Sequence, residues 1–304
     1  MAYSNMGPYL MHFSIRDLEQ FSGVKAHTIR MWEKRYGLLA PQRTDTNIRT
    51  YGIDELKAIL TVAYLNRHGH KISRIAGLKP VERDQLAREV ARSAGDRDDI
   101  LDSLKVAMLS FDEQLFEKVT SRYRADHTFS QLVEQVFVPL LEQIGMLWVT
   151  NAICPAHEHF ISNLLRQKLL AATDGITVTP RPAGPVHVLY LPENEIHELG
   201  LLYVNYVLRL HGHRTIYLGQ SVPRQDLLQV EGLFQDELVL ITLLMANPPP
   251  DELQGYLDSL RTLLPQERVR FWIAGAQVGR VADLRAPAGM SLFTGINDLL
   301  KAIG

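Results

Sequence analysis

Cysteine is nearly missing from this chain: Cys154 is the single one in 304 residues. An internal disulfide framework is thereby excluded, and a soft-metal centre lacks the several converging sulfurs it needs. Long apolar runs are missing too. No stretch approaches the roughly 18 consecutive apolar residues of a membrane span, and residues 1–12 lack the basic start and apolar stretch of a secretory signal. A cytoplasmic protein with no membrane partner is therefore expected. Net charge is slight, −2, and by itself gives no sign of nucleic acid. There is no repeat of fixed period and no low-complexity segment. What is present is a globular composition, 46% hydrophobic, in a chain long enough for about two or three domains, each with its own core.

Charge is distributed unevenly. Between Phe13 and Tyr51 the basic residues Arg16, Lys25, Arg30, Lys34, Arg35, Arg43 and Arg49 outnumber Asp17, Glu19, Glu33 and Asp45, and a phosphate backbone responds to that local excess. Ser14-Ile15-Arg16-Asp17 supplies the capping hydroxyl and first-turn acid of a helix start, and Gly23 ends the run. A second helix is expected over 25–36. At about 100° per residue, Ile29, Trp32 and Tyr36 share one face of it, while His27, Arg30 and Lys34 share the opposite one. Two short helices joined by a glycine turn, the second basic on its outer face, are what a helix-turn-helix needs to enter a major groove. Residues 41–51 carry turn formers at the centre and arginines on either side, and read as a small hairpin wing. The spacing of Leu56, Ile59, Leu60 and Tyr64 predicts a helix over 53–67, and a short helix over 72–76 completes a module ending near residue 78.

Residues 79–98 read as a linker, either a hinge or a loosely packed helix. Helical patterns near 99–120, 128–147 and 155–172 predict a central bundle within 99–178, the last helix opening at Pro155, whose fixed φ suits a first turn. A Pro- and Gly-bearing linker then leads to 184–304, where apolar runs at 186–191, 214–218, 238–244, 269–274 and 292–294 alternate with helical ones at 198–211, 224–235 and 251–264. That alternation predicts a parallel sheet wound by helices on both faces. The fold class is thus multidomain: an N-terminal winged helix-turn-helix, a helical bundle and a C-terminal α/β sheet. Glu195-Ile196-His197-Glu198-Leu199-Gly200 follows the first apolar run, which puts an imidazole at the carboxyl end of a strand, where open α/β sheets bind ligands. The remaining histidines, His68, His70, His211 and His213 among them, show no spacing that converges on a metal.

The stretch Thr28-Ile29-Arg30-Met31-Trp32-Glu33-Lys34-Arg35-Tyr36-Gly37-Leu38-Leu39 resembles the MerR-family winged helix-turn-helix. The resemblance implies contact of Arg30, Tyr36, Arg43, Arg49 and Tyr51 with an operator in double-stranded DNA. Lys25, His27, Thr28, Lys34 and Arg35 complete the candidate DNA face. The alternative is that Trp32 and Tyr36 are core and the arginines a solvated face. The rest of the chain resembles the cobalamin-binding regulators of the CarH and LitR type, which join that module to a helical bundle and a flavodoxin-like domain. Glu195-x-His197-x-x-Gly200 is similar to the Asp-x-His-x-x-Gly loop of those domains. The resemblance makes His197 the axial ligand of cobalt, Glu195 the partner that fixes its tautomer, and Gly200 a place where the nucleotide tail lies close to backbone. Thr242-x-Leu244 is similar to the family's Ser-x-Leu, and Ala274-Gly275 falls where two glycines are usual. Trp148 followed by Glu158-His159 matches a pattern that covers the upper face of the corrin. For Trp148 the alternative is bundle core, and for His159 a helix-end hydrogen bond.

Together these imply a regulator, a repressor, that binds cobalamin as adenosylcobalamin and assembles on DNA as a homo-oligomer, dimer or tetramer, with control by light a further implication of the resemblance. No enzymatic activity is expected. Val149 replaces a histidine typical of the light-sensing members, and Ala274 a glycine. Both departures favour the alternative of a cofactor-free paralogue answering to a protein partner. A cobalamin-carrying methyltransferase or mutase subunit is a third reading.

Overall fold

A computed structural model describes residues 13–44, 47–91, 97–149, 155–177 and 184–303. The chain forms two compact units, Met1–Leu164 and Leu165–Gly304.

The first unit opens with helix Ile15–Ser22, started by a reciprocal cap: Ser14 N–H donates to Asp17 Oδ2 at 2.7 Å and Asp17 N–H to Ser14 Oγ at 3.3 Å. A turn at Gly23 leads into helix Ala26–Tyr36, which buries Ile29 and Trp32 on one face. Strands β1 (Gln42–Arg43) and β2 (Arg49–Thr50) pair antiparallel as the expected wing. The centre of that wing, residues 45 and 46, lies outside the described residues. Helix Ile53–Arg67 then supplies Leu56, Ile59, Val62 and Leu65 to the core of this module, followed by helix Ile72–Gly77.

Residues 80–91 of the expected linker form a helix, Pro80–Ala91, with Ala87 fully buried. Of the two alternatives, hinge or loosely packed helix, this part of the stretch is the helix. The expected first bundle helix is two, Arg97–Ser110 and Glu113–Asp126. The break comes at Phe111, with φ +53°, and at Asp112, whose carboxylate accepts from Leu115 N–H at 2.9 Å and restarts the helix. Phe129–Leu132, a π-helical turn at Val133–Phe137, and Val138–Val149 run on as one segment, and Pro155–Asp174 opens at its proline. The winged module and the bundle share one unit, tied by a buried contact between the Tyr64 and Ser103 hydroxyls at 3.1 Å and by an Arg67–Asp102 ion pair.

The second unit is a five-stranded, all-parallel sheet: β3 (Val186–Pro192), β4 (Arg214–Val222), β5 (Leu238–Leu243), β6 (Val269–Ala274) and β7 (Met290–Phe293), in the order β4-β3-β5-β6-β7. This is the flavodoxin-like winding, with its switch point between β3 and β5. Every residue of β3 and β5 is buried, as expected of strands covered on both faces. One face carries Val188, Tyr190, Leu240 and Phe271 against Leu253, Leu257 and Leu260 of helix Leu253–Leu263. On the other face lie helices Leu199–Leu210 and Ile296–Ile303. The second of these, and the short helix Ala276–Arg280, had no counterpart in the periodicity reading, being too brief for a strong signal.

Gly275 closes the top of β6 with φ +121°, and a Cβ there would stand 2.5 Å from Leu244 O and 2.8 Å from Leu244 N. Only glycine avoids both the strained backbone and that collision. Gly275→Ala is therefore expected to lower the thermal midpoint of the sheet unit by about 4–12 °C, from a cost of roughly 1–3 kcal/mol. A shift below 2 °C in calorimetry of the full chain contradicts this.

Candidate functional site

In the first unit, helix Ala26–Tyr36 exposes His27, Arg30, Lys34 and Arg35, and Lys25 is exposed at its start, where its Nζ pairs with Glu19 Oε1 at 3.0 Å. Thr28 and Tyr36 are half-buried, and Arg43 is exposed on the wing. Glu33, on the flank of the helix, accepts from Arg49 Nε at 3.0 Å with one carboxylate oxygen and from the Tyr51 hydroxyl at 3.1 Å with the other. Tyr51 is fully buried, and burial beside the Glu33 carboxylate pushes its phenol up to about 12. Its expected place in direct DNA contact is corrected accordingly. A buried ring whose hydroxyl is spent on Glu33 positions the wing, and Arg49, half-buried in the same pairing, does part of that work.

In the second unit, the loops leaving β3 and β5 meet at the switch point through one carboxylate. Glu195 has no exposed surface. Its Oε1 accepts from Ile196 N–H at 2.9 Å, His197 N–H at 3.1 Å and His197 Nδ1 at 2.5 Å. Its Oε2 accepts from the successive amides of Met245, Ala246 and Asn247 at 3.2, 2.6 and 2.9 Å. Burial alone would raise the carboxyl, but the bond from His197 and the backbone amides outweigh it and hold the group down at about 2. An ionised carboxylate only accepts, so His197 Nδ1 carries the proton and donates. In the neutral imidazole the basic nitrogen is then Nε2, on a side chain 58% exposed.

Around this pair stand the other expected residues. Thr242 is buried near the end of β5, and its hydroxyl has no hydrogen-bond partner among the described residues. Leu244 is buried and its backbone is held from both sides, its N–H donating to Ala274 O at 2.8 Å and its C=O accepting from Gln277 N–H at 3.0 Å. Ala274 sits in regular strand register with Leu243 and Phe293, so the glycine requirement falls on Gly275 alone and the alanine methyl is an ordinary buried strand side chain. Gly200 faces the protein's own core: a Cβ there would come within 2.8 Å of Leu243 Cδ1 and 3.4 Å of Ile296 Cδ1.

Glu158 and His159 lie in the first turn of helix Pro155–Asp174. They are paired with each other, His159 Nδ1 to Glu158 Oε2 at 2.6 Å, and the second Glu158 oxygen accepts from Ser162 Oγ at 2.6 Å. Trp148 is on helix Val138–Val149. Its side chain and that of Val149 lie outside the described residues, as does Cys154.

Residues 13–80 match the family described as MerR HTH family regulatory protein, and residues 100–172 match B12 binding domain. The chain joins a MerR-type module to a B12-binding domain. It is 28% identical over 270 residues to the HTH-type transcriptional repressor CarH of Myxococcus xanthus, a match covering 87% of this chain and 89% of that one. To the repressor CarA of the same organism it is 26% identical over 257 residues, covering 84% of each. A monomethylamine corrinoid protein of Methanosarcina barkeri shares the fold, with a TM-score of 0.52 at 13% identity over 68% of this chain and 98% of that chain.

Three features around the Glu195–His197 loop escaped the sequence reading. Ile196, next to His197 in the chain, and Met245, whose N–H donates to Glu195, are exposed apolar side chains, 63% and 40% accessible. Glu198, directly after His197 in the chain, is buried and pairs with Arg166 Nε at 2.6 Å while accepting from the Tyr217 hydroxyl at 2.9 Å. Burial and that carboxylate drive the Tyr217 phenol well above its ordinary range. Only the adjacency of Glu198 to His197 was visible beforehand, since Arg166 and Tyr217 arrive from other elements. Asn194 completes the tie, its N–H donating to Ser221 Oγ at 3.1 Å and its C=O accepting from Asn247 Nδ2 at 2.9 Å.

Because the folded Glu195 carboxyl is held below its ordinary 4.5, it contributes stability that is complete above that pH and drains away as pH falls toward about 2. The full contribution is on the order of 3 kcal/mol. Glu195→Gln is expected to lose most of it at pH 7 and to flatten the acid limb of the unfolding curve between pH 4.5 and 2. An unchanged limb in acid titrations followed by circular dichroism rules this out.

Proposed function

We propose that this chain is a cobalamin-dependent transcriptional regulator, acting as a repressor, in which the vitamin seated on the sheet unit governs how the winged modules engage an operator. The observation that carries the reading is the Glu195–His197 pair: a buried carboxylate that sets one imidazole tautomer, at the switch point of a flavodoxin-like sheet, in a chain that also carries a MerR-type module. The relatives that bear the name repressor support the direction of control.

The residues present fit the cofactor. His197 Nε2 is the nitrogen that would ligate cobalt, and Glu195 keeps it basic and oriented. The buried, unpartnered Thr242 hydroxyl is the kind of group that a polar cofactor tail would satisfy, and leaving it orphaned costs free energy. Ile196 and Met245, on the two loops that Glu195 joins, expose apolar surface. We extend the assignment to Trp148, Glu158 and His159 as cofactor contacts from the helical unit. When bound as adenosylcobalamin, the group supplies a cobalt centre with a light-labile cobalt–carbon bond. The chain's own contribution to control is assembly: joining weak DNA modules in a dimer or tetramer raises affinity by roughly two to four orders of magnitude without any new contact.

Purified protein is expected to take up adenosylcobalamin with a spectrum of histidine-ligated cobalt. His197→Ala abolishes that spectrum, and Glu195→Gln weakens uptake by about 10–100-fold. Unaltered uptake and spectrum in His197→Ala refute the ligand assignment. On a duplex selected from a randomised library, Arg30→Ala and Arg43→Ala each weaken binding and reduce the slope of log affinity against log salt by about one. Two unaltered slopes remove both residues from the phosphate-contacting set.

A further inference from the structure

The outer surface of helix Ala26–Tyr36 carries one residue that its basic character does not explain. Its exposed positions are His27, Arg30, Met31, Lys34 and Arg35, and Met31 is the single apolar side chain among them, 50% accessible. At about 100° per residue Met31 stands roughly 40° from His27 and from Arg35 and roughly 60° from Lys34, well inside the cationic face. The apolar side of the helix is turned away from it, occupied by the buried Ile29 and Trp32. Glu33, on the other flank, is committed to the wing through Arg49 and Tyr51.

The cations of such a face are suited to phosphates, which set register and carry no sequence information. A thioether has nothing to offer a phosphate. Among the groups that base edges present in the major groove, the apolar one is the C5 methyl of thymine. A flexible, polarisable side chain can settle on that methyl, excluding water from both.

We propose that Met31 is a specificity-determining residue that reads a thymine methyl in the major groove. The inference rests on the DNA-binding reading above and adds the class of base that this position selects.

The test uses the full-length protein and duplexes enriched from a randomised library, with each thymine of the winning site replaced in turn by deoxyuridine, which differs only in lacking the methyl. Wild-type protein is expected to lose about fourfold in affinity at one thymine per half-site, the weight of a single buried methyl-sized group. Met31→Ala binds the thymine and deoxyuridine duplexes equally at that position, and Met31→Leu, still apolar, keeps most of the discrimination. Equal losses in wild type and Met31→Ala at every position, or no loss at any, overturn the assignment while leaving DNA binding intact. If no sequence is enriched over the input library, the DNA-binding reading itself falls and the inference falls with it.

Discussion

The carboxylate of Glu195 is the constraint around which the sheet unit is organised at its functional end. Six N–H groups converge on its two oxygens, two from the backbone and one from the ring on the β3 side, and three backbone amides on the β5 side. Parallel strands leave their loops free at the carboxyl edge, and nothing in the sheet hydrogen bonding dictates how the β3 and β5 loops lie against each other. Glu195 does so by charge. Backbone donors of both loops are paired with one buried, ionised acceptor, and charge-assisted bonds of this type are about twice as strong as neutral ones. The imidazole of His197 is oriented as a by-product of the same arrangement, so the fold and the candidate site share one interaction.

Elsewhere at that edge the packing is of a different kind. Gly275 allows the backbone after β6 to lie against Leu244, and buried Gln277 donates to Ala246 O at 2.9 Å. These contacts fix the β5 loop from the side opposite Glu195. The glycine that resembled a cofactor-facing position is explained by apposition of two protein segments, and Gly200 by the packing of helix Leu199–Leu210 near Leu243 and Ile296. Thr242 differs from both: its hydroxyl is buried with no internal partner among the described residues.

Much of the architecture was legible from residue order. Alternating apolar and helical runs located all five strands of the sheet, most plainly β3 and β5, which are buried throughout and read as nearly continuous apolar residues, and the helix Ile53–Arg67 matched its expected limits. Periodicity failed where segments were short, as at Ala276–Arg280, and at Pro80–Ala91 it left hinge and helix as alternatives, of which the helix is found. The Glu195–His197 relation was legible as a local motif, but the three amides that Glu195 collects stand fifty residues later in the chain. No local pattern encodes such a meeting. Tyr51 illustrates the converse: the family resemblance put it in contact with DNA, whereas its antiparallel bridge to Phe13, with Phe13 N–H donating to Tyr51 O at 2.7 Å, carries it into the core.

Glu33 has a mechanical consequence for operator choice. By gripping Arg49 and Tyr51, it joins helix Ala26–Tyr36 and the hairpin beside it into one stiff caliper with a set jaw width. A stiff caliper does not adapt to the duplex. On the proposed DNA-binding reading, a misfit in groove width would be borne by the nucleic acid, and sequences that bend or narrow cheaply would be preferred even at steps where no side chain touches a base.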